Sequence, residues 1–173
     1  MGKSQRQVVL IAHNIRSAHN VGSLLRTADG LGVAEVFFSG YTPYPKSKTD
    51  DRLPHVAQKT DHQIHKTALG AEDSVKWRQV SDIDSLIDDL KAQSYKIAAL
   101  EQAADSVPLN SYQPAAKIAL LLGSEIGGLG SGLLEKCDVI LEIPMRGRKE
   151  SFNVAAAAAM ALYHLTSLDK TAA

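Results

Sequence analysis

Residues 123–132, GSEIGGLGSG, carry five glycines in ten positions directly after the apolar run KIALLL, and one carboxylate, Glu125, stands among them. A backbone this bare can come into close contact with a ligand or with another stretch of chain. Further on, DVILEI opens into PMRGRKESFN (144–153), which brings the neutral polar groups Ser151 and Asn153 together with the cations Arg146, Arg148 and Lys149. Near the other end of the chain, Asn20 and Arg26 stand six positions apart in NVGSLLRTADGLGV. Amides, a hydroxyl, one acid and guanidinium groups are residue types for orienting a substrate, and no cysteine or histidine accompanies them in the two glycine-bearing loops.

Two nucleotide-binding patterns fail on these residues. A phosphate-cradling loop needs a lysine and a hydroxyl after its second glycine; here Gly123 and Gly128 have the spacing, but Leu129 and Gly130 follow. The dinucleotide fingerprint starts acceptably at Gly128 and Gly130 and then meets Leu133. A plain strand-to-helix turn would account for two or three glycines. Two loops at the carboxyl ends of neighbouring parallel strands would instead form a pocket of main-chain amides and carbonyls, walled by Leu122, Ile143 and Met145, suited to a flat heterocycle.

The elements that must position these groups alternate. QVVLIA (7–12), AEVFFSG (34–40), WRQV (77–80), YKIAALE (95–101), KIALLLG (117–123) and DVILEIP (138–144) read as strands, apolar almost throughout. Helical spacing runs from His19 through Val21, Leu24, Leu25, Ala28 and Leu31, with Gly32 as the stop, and again through Ile83, Leu86, Ile87 and Leu90 behind a Ser81 or Asp82 cap. YTPYPKSKTDD reads as a loop, followed by a weakly helical region to about Lys66; LGSGLLEKC reads as a short helix. SFNVAAAAAMALYHLTSL forms a last helix, capped by Ser151, with Val154, Ala158, Ala161, Leu162 and Leu165 on one side. Buried strands alternating with helices give an α/β domain whose mainly parallel sheet is covered on both faces, one domain over residues 1–173.

Composition bounds the rest. The 173 residues are 45% hydrophobic and 22% charged, with nineteen basic residues balancing nineteen acidic ones. No apolar stretch reaches the ~20 residues of a membrane span, so no membrane partner is expected. The basic start MGKSQRQVVLIAHN lacks a cleavage pattern, and the single Cys137 cannot form an internal disulfide; both fit a cytoplasmic protein, with Cys137 as a small core residue. His55, His62 and His65 lack a convincing further ligand, so no metal is assigned. The clusters Arg52, Lys59 and Lys66, and Arg146, Arg148 and Lys149, could form a basic face despite the neutral total, which by itself gives no argument for nucleic acid; were the partner RNA, these side chains and Arg26 would be its candidate phosphate contacts.

Three blocks in order, NVGSLLRTADGLGV (20–33), LLLGSEIGGLG (120–130) and IPMRGRKESFNVAAAAAMALYHL (143–165), resemble the three motifs of the SpoU/TrmH branch of the SPOUT methyltransferases, and KTALGAEDSVKW (66–77) is similar to that family's middle segment. The resemblance implies transfer of a methyl group from S-adenosylmethionine to a ribose 2′-hydroxyl of tRNA or rRNA, a homodimer, and a C-terminal trefoil knot. It implies that Asn20, Arg26, Glu125, Ser151 and Asn153 surround the reacting ribose, and that Leu122, Gly123, Ser124, Gly128, Ile143, Met145, Ser151 and Phe152 hold the cofactor. Ser124, Ile126 and Phe152 depart from the family's usual residues, and none of the five polar groups is lost. A ribose hydroxyl is a poor acid, so attack wants its proton removed, yet a guanidinium pKa above ~12 makes Arg26 a costly base. Arg26 is therefore expected to grip a phosphate and orient the hydroxyl, with a role as base left open. The absence of room for a separate RNA-binding domain favours a compact tRNA target over rRNA. Alternatives are a base-nitrogen methyltransferase of the same fold, a non-catalytic RNA-binding protein, and an unrelated nucleotide-binding α/β protein.

Overall fold

The computed structural model describes residues 6–167. Seven strands form one parallel sheet: β1 (Gln7–His13), β2 (Glu35–Ser39), β3 (Trp77–Val80), β4 (Lys96–Leu100), β5 (Val107–Pro108), β6 (Lys117–Leu122) and β7 (Val139–Glu142). Their order is β3-β2-β1-β6-β4-β7-β5, and each ladder is parallel. Among the described residues the helices are α1 (Ala18–Gly30), α2 (Pro54–Ala68), α3 (Ala71–Ser74), α4 (Ile83–Ala92), α5 (Ser131–Leu134) and α6 (Val154–Ser167), with a 3-10 turn at Leu109–Ser111.

Alternating side chains of the buried strands feed two cores. Val8, Leu10, Ala12, Leu120 and Leu122 meet α1, α2 and α6 on one face. Val9, Ile11, Phe37, Ala119 and Leu121 meet Leu86, Ile87 and Leu90 of α4 on the other. This is the two-sided cover that continuous apolar strands require. Cys137 packs beside the second core, where burial pushes its thiol up to about 11, so it is an inert small residue as expected.

Several local readings change. The weakly helical region is a 15-residue helix, α2, started by Pro54 at its first turn and ended where Leu69 turns left-handed at φ 53°. Short α3 and the two-residue edge strand β5 carry too little sequence pattern to be legible. Helix α1 begins at Ala18, with Ser17 as its cap, so the Asn20 side chain is not used as the cap; Gly32 takes the left-handed stop at φ +66° as expected. The cap of α6 is Asn153 rather than Ser151, since Asn153 Oδ1 accepts from the amides of Ala155 and Ala156 at 2.9 and 3.2 Å. Leu168, the last residue of the helix as read from sequence, lies outside the described residues.

Candidate active site

β6 and β7 are not neighbours: β4 lies between them, and its end, Leu100–Glu101–Gln102, adds a third wall. The cavity above these three strand ends has a volume of about 350 Å³, in the size range of small-ligand sites. Leu100, Leu122, Ile143 and Phe152 supply apolar surface, and the turn 123–128 and Glu150–Ser151 supply main-chain groups and hydroxyls.

The glycine turn is a tight reversal. Ser124 and Gly128 exchange backbone hydrogen bonds at 3.2 and 3.0 Å, and Ser124 Oγ accepts from Gly127 N at 2.9 Å. A Cβ on Gly123 would lie 2.5 Å from the Gly128 carbonyl carbon, so the strand end has no room for a side chain beneath the returning backbone. Gly128 sits at φ +59°. Gly130 and Gly132 face open space, so only part of the glycine richness answers to packing within the chain.

A hydrogen-bonded relay joins the three sequence blocks. Glu125 Oε1 accepts from Asn20 Nδ2 at 3.0 Å, and Oε2 accepts from Arg16 N at 3.1 Å. Asn153 Nδ2 donates in turn to Asn20 Oδ1 at 3.1 Å. An ionised carboxylate only accepts, so it fixes which end of the Asn20 amide faces it; that leaves the Asn20 oxygen for Asn153 and turns the Asn153 oxygen onto the first amides of α6. Burial raises the Glu125 pKa, but hydrogen bonds from its own backbone, Arg16, Asn20 and Ser17 outweigh it and hold the carboxyl below the ordinary glutamate range. Glu125 is thus an orienting group and a weak base.

Seven of the eight expected cofactor residues line the cavity: Leu122, Gly123, Ser124, Gly128, Ile143, Ser151 and Phe152. Met145 does not line it; it lies past Pro144, where the chain has left the strand. Among the expected catalytic residues, Asn20, Glu125 and Asn153 come together and Ser151 lines the cavity. Arg26 stays apart. Six positions along α1 carry it about 9 Å further and about 120° around from Asn20, and it is exposed, with no hydrogen bond or ion pair among the described residues.

The cations divide. Lys59, Lys66, Arg146, Arg148 and Lys149 are exposed. Arg52 is not available to a phosphate: its guanidinium bonds Asp50 at 2.5 and 2.8 Å, donates to the carbonyls of Tyr44 and Pro45, and stacks 3.7 Å from the centre of the Tyr44 ring. Its side chain is only 17% exposed, and its proximity holds the Asp50 carboxyl far below the usual range. Of the histidines, His65 pairs with Glu72, and no group of three or more metal-ligating side chains occurs among the described residues.

Sequence reasoning missed Glu101, Gln102, Glu142 and Glu150, which line the cavity alongside Glu125. Glu101 was findable, as the residue immediately past a parallel strand, where ligands gather. These carboxylates meet no cationic side chain in the lining, an environment that suits a positively charged ligand and opposes a polyphosphate.

Residues 7–163 match the SpoU rRNA Methylase family. A Staphylococcus aureus protein named for the TrmH family of tRNA/rRNA methyltransferases is 30% identical over 163 residues, covering 94% of this chain and 60% of that protein. The Acinetobacter baylyi 23S rRNA (guanosine-2′-O-)-methyltransferase RlmB is 27% identical over 161 residues, covering 92% and 59%. The chain therefore spans about 60% of the length of these relatives. Its fold is similar to that of an AdoMet-bound rRNA methyltransferase from Sinorhizobium meliloti, with a TM-score of 0.78 at 21% identity over 95% of this chain and 57% of the other.

Proposed function

The chain belongs to the SpoU rRNA methylase family, and on that premise we propose that it is an S-adenosylmethionine-dependent methyltransferase acting on a ribose 2′-hydroxyl of RNA. The observation that carries this reading is the relay Asn153–Asn20–Glu125, which ties the three blocks together beside one cavity. When bound, the cofactor supplies an activated methyl group on a positively charged sulfur. The cavity fits it: apolar walls, bare backbone at Gly123, and carboxylates without a lining cation.

The chain's own contribution is orientation. Asn20 and Asn153 present amides locked in direction by Glu125, so a hydroxyl placed against them meets a preset pattern of donors and acceptors. Ser151, exposed at the cavity rim, adds a hydroxyl. Arg26, free on α1, grips a phosphate of the RNA, with Lys59, Lys66, Arg146, Arg148 and Lys149 as further backbone contacts. A tRNA is the favoured target, as a compact RNA that the exposed cations of this surface can engage, and the cytoplasm is the expected compartment.

A second copy completes the assembly in this reading. Ala156, Met160 and Tyr163 recur on the face of α6 turned away from the core, with Met160 38% and Tyr163 65% exposed. A homodimer would cover them. The C-terminal trefoil knot belongs to the same proposal; the bond from Gln102 Nε2 to the Glu150 carbonyl at 2.9 Å, which brings the segment before α6 against the end of β4, supports it.

The test is incubation of the purified protein with total RNA and methyl-labelled S-adenosylmethionine, followed by nucleoside analysis. Label on a 2′-O-methyl nucleoside is the expected result. Label on a base nitrogen, or RNA binding without label, would replace this reading with one of its two rivals.

A further inference from the structure

Resting on the reading above, we infer that Glu101 is a positioning residue for the methyl donor: it ties the glycine turn to the end of β4 and fixes a negative charge in the cavity wall. Its backbone is rigid, because Glu101 N donates to Leu141 O at 2.9 Å and so extends the pairing of β4 with β7. From that base the carboxylate spans two segments. Oε1 accepts from Gln102 N at 3.0 Å, and Oε2 accepts from Leu129 N at 3.1 Å, 28 positions away.

The turn is shaped around this group. A Cβ at position 128 would lie 2.2 Å from Glu101 Oε2, so a side chain there would push the carboxylate off the Leu129 amide, besides straining the positive φ. Removing the acid would leave the Leu129 amide without its acceptor at a buried position. A carboxylate offers about four acceptor sites, and the two amides occupy two. Glu101 has no salt-bridge partner among the described residues, so no neighbouring cation cancels its charge.

The two roles separate because the donor and its spent form differ by one methyl group and one positive charge. The shape of the turn acts on both, whereas the charge acts on their difference. Even with full water screening, one unit charge at contact distance is worth about fivefold in affinity.

Calorimetric titration of the full chain with S-adenosylmethionine and with S-adenosylhomocysteine tests this, using the wild type, Glu101→Gln and Glu101→Asp. Glu101→Gln should shift the ratio of the two affinities about fivefold toward the uncharged thioether. Glu101→Asp keeps the charge but shortens the reach to Leu129, so it should weaken both ligands together and leave their ratio unchanged. Identical ratios in the wild type and Glu101→Gln overturn the charge role, and wild-type affinities in Glu101→Asp overturn the positioning role. A wild type that binds neither ligand removes the parent reading instead.

Discussion

Glu125 gathers hydrogen bonds from Asn20, Arg16 and nearby backbone amides, and thereby sets the direction of both asparagine amides. Its oxygens accept from Asn20 and Arg16, and the fixed Asn20 amide dictates how Asn153 must lie. Asn20→Asp would set a second carboxylate against the first. Turnover is expected to fall on the order of 100-fold, the cost of misplacing a substrate by about an ångström, while donor affinity stays within about threefold. Near-normal turnover in single-turnover assays would remove Asn20 from the reaction. The depressed pKa of Glu125 adds a pH consequence: the group is already ionised above the ordinary carboxylate range, so it produces no inflection near neutrality. The pH–rate profiles of the wild type and Glu125→Gln should therefore run parallel above pH ~6, at different heights; an inflection lost in the variant would mark Glu125 as a base. At this scale the sequence was informative where chemistry depends on residue type. Asn20, Glu125 and Asn153 were all recognisable, whereas Glu101 closes the apolar run YKIAALE without any spacing pattern, and its place at the strand end was the signal that could have found it. The fate of Arg52 was hidden for the opposite reason: its counter-ion Asp50 lies two positions away in a loop whose fold no periodicity encodes.

Helix α6 ends in the active site through its cap. Asn153 holds the amides of Ala155 and Ala156 with its oxygen and Asn20 with its nitrogen. Asn153→Ala is expected to cost about 1 kcal/mol of stability and most of the turnover. Asn153→Asp keeps the cap, so thermal melts should match the wild type while turnover remains lost. An Asp variant that is fully active would reduce Asn153 to a structural cap. At the junction of α2 and α3, Glu72 bonds His65 and the Gly70 amide, and the hydrogen bond with Glu72 raises the His65 pKa. A raised histidine stabilises the fold fully below its unfolded value of ~6.5, and this is lost as pH rises through the folded pKa. The melting-temperature difference between the wild type and His65→Gln should thus be present at pH ~5.5 and close by pH ~9; a difference that grows with pH would contradict the pairing. Elements were legible wherever burial imposed a pattern, as in β1, β6 and the apolar stripe of α4. The amphipathic signal of α2 was blurred by the polar run HVAQKTDHQIHK, whose buried side is only Ala57, Ile64 and Ala68.

For the whole molecule, the exposed face of α6 is the surface that the proposed homodimer would cover. Paired Met160→Asp and Tyr163→Glu changes would place two charges in an apolar dimer contact, and sedimentation should then report a single-chain mass with turnover lost. An unchanged mass would move the proposed interface elsewhere. Fold class followed from the alternation of buried strands and helices, but strand order did not, because an apolar run shows that a strand is buried and not which strands flank it. The placement of β4 between β6 and β7 is the feature that this leaves unread, and it is what gives the cavity its third wall. One register has a consequence for synthesis. Gln7 of β1 pairs with Lys117 of β6, so β1 leaves the ribosome well before β6 and waits for that strand to be made before its inner edge finds a partner. Until then that apolar edge is open to other nascent chains, and early truncations ending before β6 should aggregate instead of remaining partly folded.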